Sequence, residues 1–301
     1  MARSNRLFGK FYNETLNRLQ LGIPVPNPTQ LALQLGISRT TSRKIWALLV
    51  ERGLIDGTTG QEQPRPLLRA TSPDDFFPKE STITTEALIQ EKLMTWVIDQ
   101  KIQTGGGFTE AQVVRALGIS HAAIHEFLIR LSSFGLIRRE PNRRWVYQSM
   151  TPDYADEVYE FRKFIEFRSL RKVATLPNID PIWSDLKTLR IKHQRALTTP
   201  PGDPIEFKEL DVELHATLNR SARHRFLLGN DDAVSLLFFS HYHLSADRHL
   251  VTTRNERAIF EHIDIIDALI SDDLDRALDG MEHHLDAAKA ELISRLESVS
   301  P

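Results

Sequence analysis

Apolar residues recur along most of this chain at intervals of three and four, the period of a helix with one buried face. In residues 31–55, LALQLGISRTTSRKIWALLVERGLI, that pattern breaks at Gly36 and resumes after Ser38. The spacing predicts a short helix ending at Gly36 and a second one capped by Ser38, with Ile45, Leu48 and Leu49 on its buried side. Gly53-Leu54-Ile55 closes it. The same arrangement returns in residues 113–137, VVRALGISHAAIHEFLIRLSSFGLI. Gly36-Ile37-Ser38 matches Gly118-Ile119-Ser120, and Gly53-Leu54-Ile55 matches Gly135-Leu136-Ile137, both at an offset of 82. Matching landmarks at one offset indicate a duplicated unit. Helix, tight turn and helix is the arrangement whose second helix enters the DNA major groove.

From Asp153 onward the pattern lengthens. Helices are expected over Tyr154–Ala174, Ile182–Ala196, Glu206–Asn219, Asp231–His249, Arg254–Ile270 and Leu274–Leu296, with a loop at residues 198–202 and a turn at Ser271-Asp272-Asp273. No strand pattern interrupts them, so this half reads as an antiparallel helical bundle. The fold class is therefore mainly α: two winged helix-turn-helix units followed by the bundle. The divisions fall at residues 1–70 for the first winged unit, 82–150 for the second and 151–301 for the bundle. Residues 71–81, in a stretch punctuated by proline and glycine, read as linker.

Charge sharpens this division. The 301 residues carry a net charge of −2, but residues 1–70 hold ten Lys/Arg against four Asp/Glu, and residues 151–301 hold nineteen against twenty-seven. A basic head on an acidic body suggests a polyanion-binding module joined to something else. There is no cysteine, so disulfides, thiolate catalysis and Cys-based zinc sites are excluded. No apolar run approaches the ~20 residues of a membrane span, and the first residues, MARSNRLFGKFYNETLNRL, lack a signal peptide's apolar core. A cytoplasmic protein without membrane contact is expected.

The candidate chemistry lies at both ends. The second helix of the first copy exposes Arg39, Thr40, Thr41, Arg43 and Lys44, suited to phosphates and to the acceptor edge of guanine. In the second copy Arg39, Arg43 and Lys44 become His121, His125 and Glu126, a weaker DNA-reading set. Arg138, Arg139, Arg143 and Arg144, followed by Trp145-Val146-Tyr147, resemble a β-hairpin wing with a basic tip able to grip the backbone. In the bundle, Asp211 and His215 are four apart and share one helix face beside Phe207, Leu210, Leu214 and Leu218. A carboxylate and an imidazole presented together make half of a metal site. His262 and His284 flank apolar stripes on either side of the turn at 271–273, within roughly a turn of each other across an antiparallel hairpin. His283 falls on the opposite, solvent side. Three imidazoles and one carboxylate suit Zn²⁺ or Ni²⁺ better than Mg²⁺ or Ca²⁺.

Together, Ser38-Arg39-Thr40-Thr41 with Arg43, and an acidic bundle with Arg162-x3-Glu166, Asp211-x3-His215, His262 and His284, resemble the GntR family, FadR subfamily. The bundle is similar to its FCD ligand-binding domain, and the doubled winged helix resembles sugar-acid regulators of the L-galactonate type. The chain departs from the family pattern at Thr29 and His224, where the family usually has Arg and Asn. The resemblance implies a homodimeric regulator of a double-stranded DNA operator, with a divalent metal and a small carboxylate effector in the bundle. A one-component repressor is the expected function. Arg162 then has two readings, a fork donor to the effector's carboxylate or a structural partner of Glu166 one turn away. The rivals for the whole chain are a regulator for which the metal itself is the signal, and a metalloenzyme, for which no accompanying base or nucleophile is visible.

Overall fold

The structure, a computed structural model, describes residues 2–57, 64–83, 88–89, 92–93, 95–96, 106–133, 135, 137–142, 144–148, 151–198, 204–223 and 248–299. It divides into two compact units. The first comprises Met1–Thr84 with Leu176–Lys192, and the second Thr85–Thr175 with His193–Pro301.

The first unit opens with α1 (Ala2–Gln20), in a stretch to which the pattern reading assigns no element. Its Tyr12, Leu16 and Leu19 are buried against Leu31, Ile45 and Leu49. Helix α2 (Pro28–Gln34) starts at Asn27, whose side chain accepts from the amides of Thr29 and Gln30, with Pro28 in the first turn where its missing N–H costs nothing. The chain then turns at Gly36, at a φ of 62° that an L side chain rarely adopts. Helix α3 (Arg39–Glu51) begins on Ser38, whose hydroxyl accepts from the Thr41 amide. An isolated bridge pairs Val25 with Arg65. The stretch read as linker is folded. A 3-10 turn over Pro73–Asp75 leads to Phe76 and Phe77, which pack on this core, and α4 (Lys79–Thr82) follows. Arg69 forks onto both oxygens of Asp75 at 2.7 and 2.8 Å, and Asp75 also accepts from the Ser72 amide. Proline and polar composition hid this closure, because its partners are side-chain pairs and two aromatics rather than a periodic stripe.

In the second unit the repeat reappears. Strand β1 (Gly107–Thr109) leads through a Thr109–Gln112 capping box into α5 (Glu110–Leu117), and Gly118 ends it at a φ of 65°. Helix α6 (His121–Ser133) follows. Strands β2 (Ile137–Arg139) and β3 (Arg144–Tyr147) form the antiparallel wing, and the sheet order is β1-β3-β2. Phe108, Ile124, Phe127, Leu131, Ile137 and Trp145 fill the core, which also takes in Val158 of the bundle. Burying each of these contributes on the order of 1.5–3 kcal/mol.

The bundle consists, among the described residues, of α7 (Pro152–Val173), part of α8 (Pro181–Thr198), α9 (Pro204–Ser221), α10 (Arg248–Ile270) and α11 (Leu274–Val299). Thr151 caps α7 through the Tyr154 amide. Helices α10 and α11 turn back on each other through Asp272, at a φ of 61°. They approach closely at Gly280, where an added Cβ would lie 3.1 Å from Ile265 Cγ1. Lys163 bridges α7 to Glu282 and Asp286 of α11, and Lys289 returns to Asp156. The expected helix Asp231–His249 and the expected loop at 198–202 lie almost wholly outside the described residues, and His224 lies outside them.

Candidate metal centre and nucleic-acid interface

Helix α9 carries Asp211 and His215 one turn apart on the face shared with Phe207, Leu210, Leu214 and Leu218, all buried. Helix α10 brings His262 and α11 brings His284, both buried. One donor atom from each of these four residues lies within 4.8 Å of the other three. The Nε2 atoms of His215 and His262 are each 3.3 Å from His284 Nε2. Asp211 Oδ1 lies 3.7, 3.5 and 3.9 Å from the Nε2 atoms of His215, His262 and His284. Neighbouring nitrogens on a tetrahedral ion at ~2.05 Å are about 3.3 Å apart, so the spacing fits a zinc-sized ion. His283, by contrast, is exposed and meets Arg257.

The surroundings bias charge. Arg162 is buried and donates from Nε to Glu166 Oε1 at 3.0 Å, while its Nη2 lies 3.3 Å from His215 Nε2. Glu166 Oε2 takes His215 Nδ1 in a short contact. Burial opposes the charged form of each group. At Glu166, His215 and Arg162 overcome burial and hold the carboxyl down at about 2. Asp211 is held well below the usual carboxylate range by hydrogen bonds to His215 and His262 that outweigh burial. At His215, burial is outweighed by Glu166 and Asp211, which raise the imidazole to about 9. Burial depresses His262, and burial with the adjacent His262 takes His284 to about 3. Two buried carboxylates, Asp211 and Glu166, thus face one buried guanidinium, so the donor set, the spacing and the surplus of negative charge fit a divalent ion.

Sequence reasoning passed over two residues of this cluster. His193 of α8 is wholly buried with Nε2 3.0 Å from His262 Nδ1. It sits on the apolar stripe of its helix with Leu189 and Ala196, a signal indistinguishable from a core histidine. Glu261 Oε2 lies 2.9 Å from His284 Nδ1, and its neighbour in sequence is a ligand candidate on another face, so spacing gives no hint of it.

On the DNA-binding side, Arg39, Thr40, Arg43 and Lys44 are exposed on α3, and Thr41 is half-buried with its hydroxyl 2.8 Å from that of Ser38. In the second copy His121 Nε2 and His125 Nδ1 each lie 2.9 Å from a different oxygen of Glu110, which also accepts from Trp145 Nε1 at 3.0 Å. Burial raises the Glu110 carboxyl, but the His125 and Trp145 hydrogen bonds pull it below its ordinary value. On the wing, Arg144 is exposed and donates to the Gly107 carbonyl at 3.1 Å, and Arg139 lies over Trp145. Arg143 lies outside the described residues.

A helix-turn-helix head joined to a helical body with a buried donor cluster defines a class, the transcriptional regulators with a ligand-sensing domain. Residues 157–287 match the FCD domain. The chain is 31% identical over 300 residues to the "Probable HTH-type transcriptional regulator LgoR" of Escherichia coli (strain K12), covering 97% of this chain and 96% of that one. It therefore belongs to the GntR family of transcriptional regulators and is not an enzyme. Among solved structures it is similar to E. coli McbR/YncC, with a TM-score of 0.56 at 14% identity over 71% of this chain and 99% of that one. A GntR transcriptional regulator from Rhodococcus sp. RHA1 gives a TM-score of 0.53 at 18% identity over 69% and 97%. Both likenesses bear on the fold, which is mainly helical as expected. No helix among the described residues is long and apolar enough to cross a membrane.

Proposed function

We propose that this regulator binds a double-stranded DNA operator as a homodimer through the winged units at 1–70 and 82–150, and that the domain at 151–301 controls binding. Control runs through a divalent ion, Zn²⁺ or Ni²⁺, held by Asp211, His215, His262 and His284, and through a small carboxylate effector, a sugar acid. The effector releases the operator, which makes the protein a repressor. Arg39, Thr40, Thr41, Arg43 and Lys44 read the operator, and Arg143 and Arg144 contact its backbone.

The observation that carries this reading is the convergence of three imidazole Nε2 atoms and one carboxylate in a buried core. Donor chemistry supports the effector class: a monocarboxylate would take the ion as its electrophilic anchor and Arg162 as the fork donor beside it. Arg162 thereby keeps both roles, because its Nε stays on Glu166 while the end of its guanidinium lies beside His215. The effector alters DNA affinity only by favouring one dimer geometry over another.

Elemental analysis of zinc-supplemented protein tests the centre: His262→Ala and His284→Ala should lose the metal, and His283→Ala should keep it. Thermal shift against aldonates and uronates, with and without Zn²⁺, tests the effector. Stabilisation of about 2.7 kcal/mol is expected at a hundredfold excess over Kd, and only with metal present. Operator duplexes selected from a random pool should be released by the same compounds. Wild-type protein devoid of metal defeats the reading, and release by metal alone replaces the effector with the ion as signal.

A further inference from the structure

We infer that His193 and Glu261, together with Glu166, are positioning residues of this centre, each holding the Nδ1 edge of one ligand histidine so that its Nε2 points inward. The inference rests on the reading of the cluster as a metal site. An imidazole that gives its Nε2 lone pair to an ion carries its proton on Nδ1, and in a dry core that proton needs an acceptor. Each of the three rings has one. His215 Nδ1 meets Glu166 Oε2, His284 Nδ1 meets Glu261 Oε2 at 2.9 Å, and His262 Nδ1 meets His193 Nε2 at 3.0 Å.

The arrangement is directional. All three Nδ1 edges face outward to a partner, and all three Nε2 edges face Asp211. A ring can be turned either way about its χ2 axis, so all three presenting Nε2 inward by chance is about a one-in-eight event. The anchors also come from three different helices, α7, α8 and α10, so no single local motif produces the pattern.

The anchors differ in strength. Glu166 and Glu261 are carboxylates, and a carboxylate behind an imidazole raises its basicity as a ligand. His193 is an imidazole that accepts at Nε2, which fixes it as the tautomer protonated at Nδ1. It orients His262 without adding a negative charge to the core. Its ring stands edge-on to His262, with centroids 5.1 Å apart and planes at 76°. Phe207 stacks on the same His262 ring at 9°, which leaves that ring little freedom to rotate. The centre is therefore built rigidly ahead of the ion, with His262 held by shape and a neutral acceptor and the other two by charge.

Glu166 also holds Arg162, so the test uses the other two anchors. Full-length protein stripped of metal is titrated with Zn²⁺ against a competing chelating dye, and the metal-free proteins are melted in parallel. The variants are Glu261→Ala, Glu261→Gln, His193→Ala and His193→Gln. Glu261→Ala should weaken Zn²⁺ binding roughly ten- to a hundredfold, with His193→Ala toward the lower end. The Gln variants, which keep an oxygen able to accept from Nδ1, should recover most of the affinity. Glu261 lies at the rim of the cluster, with its side chain 11% exposed, so its variants keep the fold. A fall in metal-free melting temperature with unchanged Zn²⁺ affinity in both Ala variants assigns the residues to packing and overturns the inference alone. Wild-type protein that takes up no Zn²⁺ overturns it together with the metal reading.

Discussion

At residue 39 the first winged unit presents an exposed arginine; 82 positions on, at residue 121, the second presents a histidine 2.9 Å from Glu110. The same holds one turn later, where exposed Arg43 corresponds to His125 on the other oxygen of that carboxylate. Beneath this surface the copies agree. Gly36 and Gly118 turn at φ values of 62° and 65°, Gly53 and Gly135 at 65° and 70°, and Ile45 and Leu49 are buried where Phe127 and Leu131 are buried. What fixes the fold is repeated, and what meets solvent on the second helix is not. The second copy turns its would-be reading side chains back onto its own framework. On the reading proposed above, one fold would serve as a reader in one place and as a scaffold in the other, whose core takes in Val158 of the bundle.

The largest expected effect tests this division directly. Arg39→Ala and Arg43→Ala should each cost roughly 1–3 kcal/mol of operator affinity, because each loses a guanidinium suited to a guanine edge or a phosphate. His121→Ala and His125→Ala should change affinity little. Fluorescence anisotropy with a selected duplex measures both sets, and equal losses would end the distinction between reader and scaffold.

A smaller, opposite effect sharpens it. Restoring the first copy's charges by His121→Arg and His125→Arg should leave the new guanidiniums paired with Glu110 and raise affinity only slightly. Adding Glu110→Gln removes that trap. Each arginine that then reaches a phosphate should steepen the dependence of log K on log salt by about 0.9. If the pair of arginines alone gives the full slope, Glu110 does not hold this face.

The halves of the molecule were legible to different depths. The helix-turn-helix units and their repetition could be read because a turn glycine, a capping serine and an apolar stripe are local signals, all within about twenty residues. The phase of Asp211 against His215, and of His284 against His283, followed from helical geometry alone. His193 and Glu261 did not, since the partners that give them meaning lie 69 and 23 positions away. Helix α1 and the folded stretch after Arg65 were missed for a related reason. Their buried residues, Tyr12 and Phe77 among them, pair edge to face at 5.2 Å across 65 positions, and no periodic window spans that distance.

The smallest expected effect concerns how each winged unit is closed. The second is closed by a three-stranded sheet around buried Phe108 and Trp145, contacts indifferent to pH. The first is closed by the Arg69 fork on Asp75, with the Ser72 amide on the same carboxylate and Arg52 donating to the Asp75 carbonyl at 2.5 Å. These bonds, the one to Arg69 first, hold the Asp75 carboxyl well below the ordinary carboxylate range. A carboxyl depressed in the folded state contributes stability above its unfolded value of ~3.9, and that contribution fades as pH falls below it. Arg69 is 43% exposed, so water and salt screen the pair and keep the effect modest. Asp75→Asn should therefore lower the melting temperature at pH 7, and the gap to wild type should narrow as pH falls from 5 toward 3 and as salt is added. Hydrogen exchange should place the loss in α1 and α3 and leave α5 and α6 unaffected. A gap that persists unchanged to pH 3 shows that Asp75 acts through shape and hydrogen bonding to backbone, and that the two copies are closed by contacts of the same kind.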